Sequence, residues 1–171
     1  MKTLAIIRDA DVGSALQAPN TYSEQRFASR AVVYRDDKKV GLLHVANKHY
    51  HKLPGGGFEG AENAEPALRR EVLEEIGFEI KHIRELGIVE EYRNKYSLHQ
   101  ISYCFVAEIN GPQQETNLDP AEAADGFTTI WLSVHEAVQM LESEEGVEEY
   151  EGKFIQKRDL LLLKMAAQFI V

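Results

Sequence analysis

Between Gly56 and Phe78 the chain gathers Glu62, Arg70, Glu71, Glu74 and Glu75 directly after the glycine run of "LPGGGFEG". Carboxylates at this density are hard oxygen ligands, which suit Mg²⁺ or Mn²⁺; zinc would favour cysteine or histidine. Mg²⁺ takes one or two carboxylates and fills its shell with water and substrate phosphates, so the cluster implies a phosphate compound as substrate. The glycines let the backbone come close, so that a carbonyl can join a metal shell and amides can face phosphate oxygens. Arg70 lies one helical turn before Glu74, where it can hold an acid in place and keep it ionised. An exposed acidic helix after a glycine turn is the other use of the same residues.

Positioning these acids requires a helix. Asn63 is placed to cap it, Glu65 and Pro66 suit its first turn, and Gly77 stops it, which predicts a helix over Ala64–Ile76. At about 100° per residue, Leu68, Val72 and Ile76 form one apolar ridge, and Glu71, Glu74 and Glu75 share the neighbouring arc with the small Ala64 and Ala67. Strands are expected at Leu4–Arg8, Ala31–Arg35 and Val40–Ala46, the last two joined as a hairpin by "RDDKK". More strands are expected at Leu86–Arg93, His99–Ile109 and Thr128–Leu132. "SVHEAVQMLES" opens with a capping-box spacing, Ser133 to Glu136, and reads as a helix. Ile155–Val171 reads as another, whose leucines at 160–163 fit core packing first and a dimer contact second. Residues 110–127 lack periodicity and read as a loop. The sum is a mixed α/β domain with a mostly antiparallel sheet and about three helices.

The 171 residues, 44% hydrophobic, suffice for one domain with a real core, expected to span 1–171. A formal charge of −9 argues against a partner held by phosphate-backbone neutralisation, so no nucleic-acid polymer is expected. The apolar stretch before Arg8 is too short for a signal or membrane span, and the single Cys104 cannot form an internal disulfide. No membrane partner and a reducing, cytoplasmic location are expected, with the protein a monomer or homodimer.

The stretch from Gly56 to Phe78 resembles the Nudix box, G-x5-E-x7-R-E-U-x-E-E-x-G-U, with U apolar: Gly56, Glu62, Arg70, Glu71, Val72, Glu74, Glu75, Gly77 and Phe78 each fall in place. One departure is Gly60 before Ala61, where many members place glycine just before the first glutamate. The resemblance implies an α/β/α sandwich around a mixed sheet, and metal-dependent hydrolysis of a nucleoside diphosphate linked to another moiety. It further implies that Glu71, Glu74 and Glu75 bind Mg²⁺ or Mn²⁺, that Glu71 or a nearby acid is the base, that Arg70 orients the cluster, and that Gly56 lends its carbonyl.

Many members add an acid from outside the box; Glu122 and Asp125 are the loop candidates here, and Glu90 and Glu91 the strand candidates. His49 and His51 fit a substrate mouth better than a zinc site. Tyr92 and Tyr96 could stack on a base or serve as packing residues. No proline occurs between Phe78 and Pro112, and no "SQPWP" string is present, which removes the ADP-ribose and NADH branches. Nucleoside triphosphates, oxidised ones included, remain as the expected substrate, with dinucleoside polyphosphates as the alternative. A nucleotide sensor of the same fold has no need for the full acid set.

Overall fold

The computed structural model describes residues 1–144, 147 and 149–170. Among these residues seven strands form one mixed sheet: β1 (Thr3–Arg8), β2 (Glu24–Tyr34), β3 (Lys39–Val45), β4 (Tyr50–Lys52), β5 (Glu79–Arg93), β6 (Leu98–Asn110) and β7 (Phe127–Ser133). Among the described residues four helices accompany them: α1 (Ala64–Ile76), α2 (Pro120–Asp125), α3 (Val134–Ser143) and α4 (Tyr150–Ala166). The sheet order is β1-β5-β6-β2-β3-β4, with β7 paired to β3. β1–β5 and β6–β2 are parallel and the other pairs antiparallel.

Alternation along the strands builds a core on each face. Ala31, Val33, Phe105 and Ala107 point to one side, where the ridge Leu68, Val72 and Ile76 of α1 covers them. Val32, Cys104, Val106 and Val89 point to the other, against Leu141 of α3 and Phe154, Leu162 and Leu163 of α4. Each fully buried Val, Leu, Ile or Phe contributes on the order of 1.5–3 kcal/mol, so the α/β/α layering follows from these two faces. Burial also pushes the Cys104 thiol up to about 12, leaving it an inert core residue.

The predicted hairpin is present, but β2 and β3 pair only at its end, Tyr34 with Val40. Beyond that point the chain after β4 runs beside β2 instead. Ala31 N–H donates to the Pro54 carbonyl (3.2 Å), Ser29 N–H to that of Gly56 (2.9 Å), and Phe58 N–H to that of Phe27 (3.0 Å). The glycine run is thereby fastened to the sheet. Gly55 adopts φ +131°, and a Cβ there would collide with the Ser29 carbonyl, so only glycine allows this approach.

α1 has the predicted bounds, ended by Gly77 in the left-handed conformation. Asn63 is at the cap position with extended backbone, but its side chain makes no capping bond, contrary to expectation. The last predicted helix begins earlier, at Tyr150, and ends at Ala166; Val171 lies outside the described residues. β2 extends well before Ala31, and the expected loop at 110–127 contains a fourth helix, α2. Asp119 caps α2, accepting from Ala121 and Glu122 N–H (2.7 and 2.8 Å), while Glu122 returns a carboxylate oxygen to Asp119 N–H (3.0 Å). Pro120 takes the first helical position, where no amide hydrogen is needed. Among the described residues no helix is long and apolar enough to cross a membrane.

Candidate active site

α1 presents its acids toward the fastened glycine run. Glu75, 2% exposed, accepts from Gly55 N–H (2.6 Å) and from Lys52 Nζ (2.9 Å). Glu71 is buried beside Gly56, where any Cβ would overlap its carboxylate. Arg70 uses all five of its N–H donors. Nε and Nη2 grip the two oxygens of Glu62 (2.9 and 3.0 Å), Nη2 also reaches the Gly57 carbonyl (2.9 Å), and Nη1 reaches Glu71 (2.9 Å) and Glu74 (3.0 Å). The guanidinium therefore locks three box glutamates to the glycine loop, and Glu62 is held below the usual carboxylate range by Arg70.

The loop before α2 brings in another acid. Gln114 N–H donates to the Gly77 carbonyl (2.7 Å) and Asn117 N–H to that of Glu74 (2.8 Å), satisfying carbonyls at the end of α1. At the far end of α2, Asn47 Nδ2 donates to the Ala124 carbonyl (2.5 Å) and Lys48 pairs with Asp125 (3.0 Å). Between these anchors Glu122 offers an oxygen that lies, with one from Glu71 and one from Glu75, in a set whose members are all within 4.8 Å of one another.

This donor set fits a divalent cation. Burial raises the carboxyl of Glu75 above its ordinary value despite Lys52 and the Gly55 amide, and burial does the same to Glu71 despite Arg70. Gathered carboxylates that the protein's own cations leave under-compensated are the environment a cation would relieve. Among the described residues no other group of three or more acid, histidine or cysteine ligand atoms comes together. Glu74 is outside the set. It faces a neighbouring cavity of about 330 Å³ that shares Glu59, Glu71, Asp119 and Glu122 with the main cleft.

The main cleft, about 460 Å³, is also lined by Arg26, Arg30, Lys48, Lys52 and Arg158. It thus joins an acidic wall to a basic one, an arrangement that receives a cation and a polyanion together. Sequence reasoning missed the basic wall. Its signal was present: an arginine inside the strand run "ASRAVV", and the charged pair Arg158–Asp159 inside an apolar helix.

Other predicted residues fall elsewhere. Glu90 pairs with His99 (2.9 Å) away from the cleft, and Glu91 is wholly buried between Arg93 and Arg158. Asp125 lines the cleft but is engaged by Lys48. Tyr92 stacks on His99 at 4.3 Å, and Tyr96 packs edge-on against Tyr150. Neither tyrosine lines the cleft, whose aromatic residues are Tyr50, Phe58 and Phe127. His51 stacks on His44 and bonds Glu144. The Gly56 carbonyl already accepts from Ser29, which leaves one lone pair.

The NUDIX domain family profile matches residues 24–157. The chain belongs to the Nudix family. Curated relatives include the mouse diphosphoinositol polyphosphate phosphohydrolase 3-alpha, 26% identical over 127 residues (71% of this chain, 74% of the relative). The rat diphosphoinositol polyphosphate phosphohydrolase 2 is 28% identical over 127 residues (71% and 67%). Among solved structures, a NUDIX hydrolase from Nitrosomonas europaea superposes with a TM-score of 0.58 at 20% identity, covering 77% of this chain and 88% of that one. A MutT NUDIX hydrolase from Burkholderia pseudomallei gives 0.54 at 20% identity, covering 66% and 86%. The fold is that of these neighbours, and the Nudix assignment makes the chain a hydrolase of small phosphate compounds.

Proposed function

We propose that this Nudix hydrolase cleaves a phosphoric anhydride of a nucleoside diphosphate derivative with Mg²⁺ or Mn²⁺, a nucleoside triphosphate, normal or oxidised, giving a monophosphate and pyrophosphate. The observation that carries this reading is the convergence of Glu71, Glu75 and Glu122 oxygens within 4.8 Å at a cleft that basic side chains also line. Glu71, Glu75 and Glu122 hold the cation, with Glu74 available from the adjoining cavity and the Gly56 carbonyl as a further oxygen. When bound, the cation supplies charge neutralisation and Lewis acidity at the phosphate.

The chain's own groups do the rest. Glu71 accepts the proton of the attacking water as the water oxygen bonds to phosphorus. The anhydride P–O bond breaks and its electron pair leaves with the departing phosphate oxygen. Arg70 holds Glu71 and Glu74 in place through its two Nη1 bonds. Lys52 and the Gly55 amide fix Glu75, so little reorganisation is needed at the moment of reaction.

A second reading is favoured by one observation: besides Lys48, Lys52 and Arg158, which are paired with acids, Arg26 and Arg30 also line the cleft. Together with the diphosphoinositol polyphosphate phosphohydrolase names of the relatives, this supports a substrate with more phosphates, such as a dinucleoside polyphosphate or a diphosphorylated inositol polyphosphate. Phosphate and pyrophosphate release from a panel of nucleoside triphosphates, oxidised nucleotides, dinucleoside polyphosphates and diphosphoinositol polyphosphates, with each metal, decides between them. Metal-dependent turnover of the triphosphates supports the first reading and turnover confined to the more phosphorylated compounds the second. No turnover of any panel member contradicts both.

A further inference from the structure

Under α4, near the cleft, the sheet face that elsewhere carries the apolar core carries polar side chains instead: Arg30 on β2, Gln100 and Ser102 on β6, and Glu91 and Arg93 on β5. Most of their charge is matched. Glu91 accepts from Arg93 Nε (2.9 Å) and Arg158 Nη1 (3.2 Å), and Arg93 Nη1 reaches Glu151 (2.6 Å). Asp159 accepts from Arg158 Nε (2.7 Å) and, through its other oxygen, from Leu53 N–H (2.7 Å) just before the glycine run.

Arg30 is the exception. It is 7% exposed, lines the cleft, and its guanidinium has one hydrogen bond, a long one from Nη1 to the Ser29 carbonyl (3.4 Å). Among the described residues its Nε is buried without a partner, as is Nη2 of Arg158. Among the described residues no carboxylate lies within ion-pairing distance of it, and the acids whose charge reaches it, Glu71, Glu75, Glu91 and Asp159, are each bonded to a nearer cation: Arg70, Lys52, Arg93 and Arg158 respectively. Burial, and then the like charge of Arg158, lowers the Arg30 guanidinium to about 10. A buried arginine without a counter-ion costs several kcal/mol unless an anion arrives.

We infer that Arg30 is the receptor for a phosphate group of the substrate beyond the one that meets the acidic wall. Arg158, which lines the cleft beside it and is held by Glu91 and Asp159, is a positioning residue that reinforces the positive field. The planar fork of Arg30 matches two non-bridging phosphate oxygens. Through Asp159 and Leu53 the same network fixes the strand end that leads into the glycine run, so the phosphate receptor and the acid cluster are set in one frame. This rests on the reading of the protein as a hydrolase of phosphoric anhydrides, but its test does not require turnover.

Pyrophosphate binding by the full chain in EDTA, read by thermal shift and by calorimetry, is the experiment. The wild type is expected to bind saturably. Arg30→Met should bind about tenfold or more weakly, the loss of charge-assisted hydrogen bonds, and without ligand should melt no lower than the wild type, because it removes an uncompensated buried charge. A merely structural arginine predicts the opposite, a lower melting temperature. Arg30→Lys keeps the charge without the fork and should fall between the two in affinity, and this variant decides the matter if Arg30→Met does not fold. Arg158→Lys should restore part of the affinity that Arg158→Met loses. Pyrophosphate binding to Arg30→Met as tightly as to the wild type, or no binding to the wild type, would overturn the inference. Arg30-dependent binding with no hydrolysis of the substrate panel would overturn the proposed function and leave this receptor standing; metal-dependent hydrolysis without Arg30-dependent binding would do the reverse.

Discussion

Two clusters of buried charge, one on α1 and one between the sheet and α4, are built from the same residue types and put to opposite use. In the floor network each carboxylate meets arginine: Glu91 has Arg93 and Arg158, and Asp159 has Arg158. Burial alone would raise the Glu91 carboxyl, but Arg158 and Arg93 hold it below its ordinary value. On the α1 wall the balance is reversed. Glu71 and Glu75 are raised by burial, which outweighs the nearby Arg70 and Lys52. Charge that is matched internally belongs to the folded frame, whereas charge left in surplus, negative at Glu71 and Glu75 and positive at Arg30, marks where something else must bind.

The contrast is most exposed in activity. Glu71→Gln should lower kcat by about 10²–10⁴-fold, the usual range for losing a positioned acid or base, while the domain stays folded; steady-state kinetics beside a melting curve measures both. Glu91→Gln should act on stability. It strips a buried partner from two arginines, a loss on the order of 3–5 kcal/mol, measured by urea unfolding.

Opposite signs are expected with pH. Glu91 is lowered in the folded state, so its contribution is present above the ordinary carboxyl value of 4.5 and is lost as pH falls through its lower folded value. Glu75 is raised, so its contribution is present below 4.5 and is lost as pH rises through its higher folded value. In EDTA, Glu75→Gln should therefore gain on the wild type as pH rises above 4.5, while the deficit of Glu91→Gln shrinks as pH falls below it. Parallel unfolding curves for the two variants across that range would erase the distinction. A smaller effect is expected from Lys48→Ala, which releases one tether of α2 and with it Glu122. Affinity for Mn²⁺ should drop about three- to fivefold, in keeping with a partly exposed ion pair, with little change in stability.

How much of this could be read from sequence depended on length and on locality. α1 was legible to its last residue because its helical period, first-turn acid and terminal glycine all agree. α2 was not, since six residues carry no periodicity, although Asp119, Pro120 and Glu122 form a complete capping signature. The first half of β2, Glu24–Arg30, is too polar to suggest a strand and is held by its parallel pairing with β6, a partner far along the chain. The acid cluster was visible because one helix supplies most of it. The basic wall was not, because Arg30, Lys52 and Arg158 come from β2, β4 and α4 and meet only after folding. Tyr92 and Tyr96 looked available for stacking on a base, but strand register and the packing of Tyr150 place them away from the cleft.

The central claim is that the acids of α1 and α2 are gathered to hold a divalent cation. Calorimetric titration of Mn²⁺ into the wild type and into Glu75→Gln tests it most directly. Saturable binding to the wild type that is lost or strongly weakened in the variant is the predicted result. Equal binding to both proteins, or none to the wild type, would contradict it.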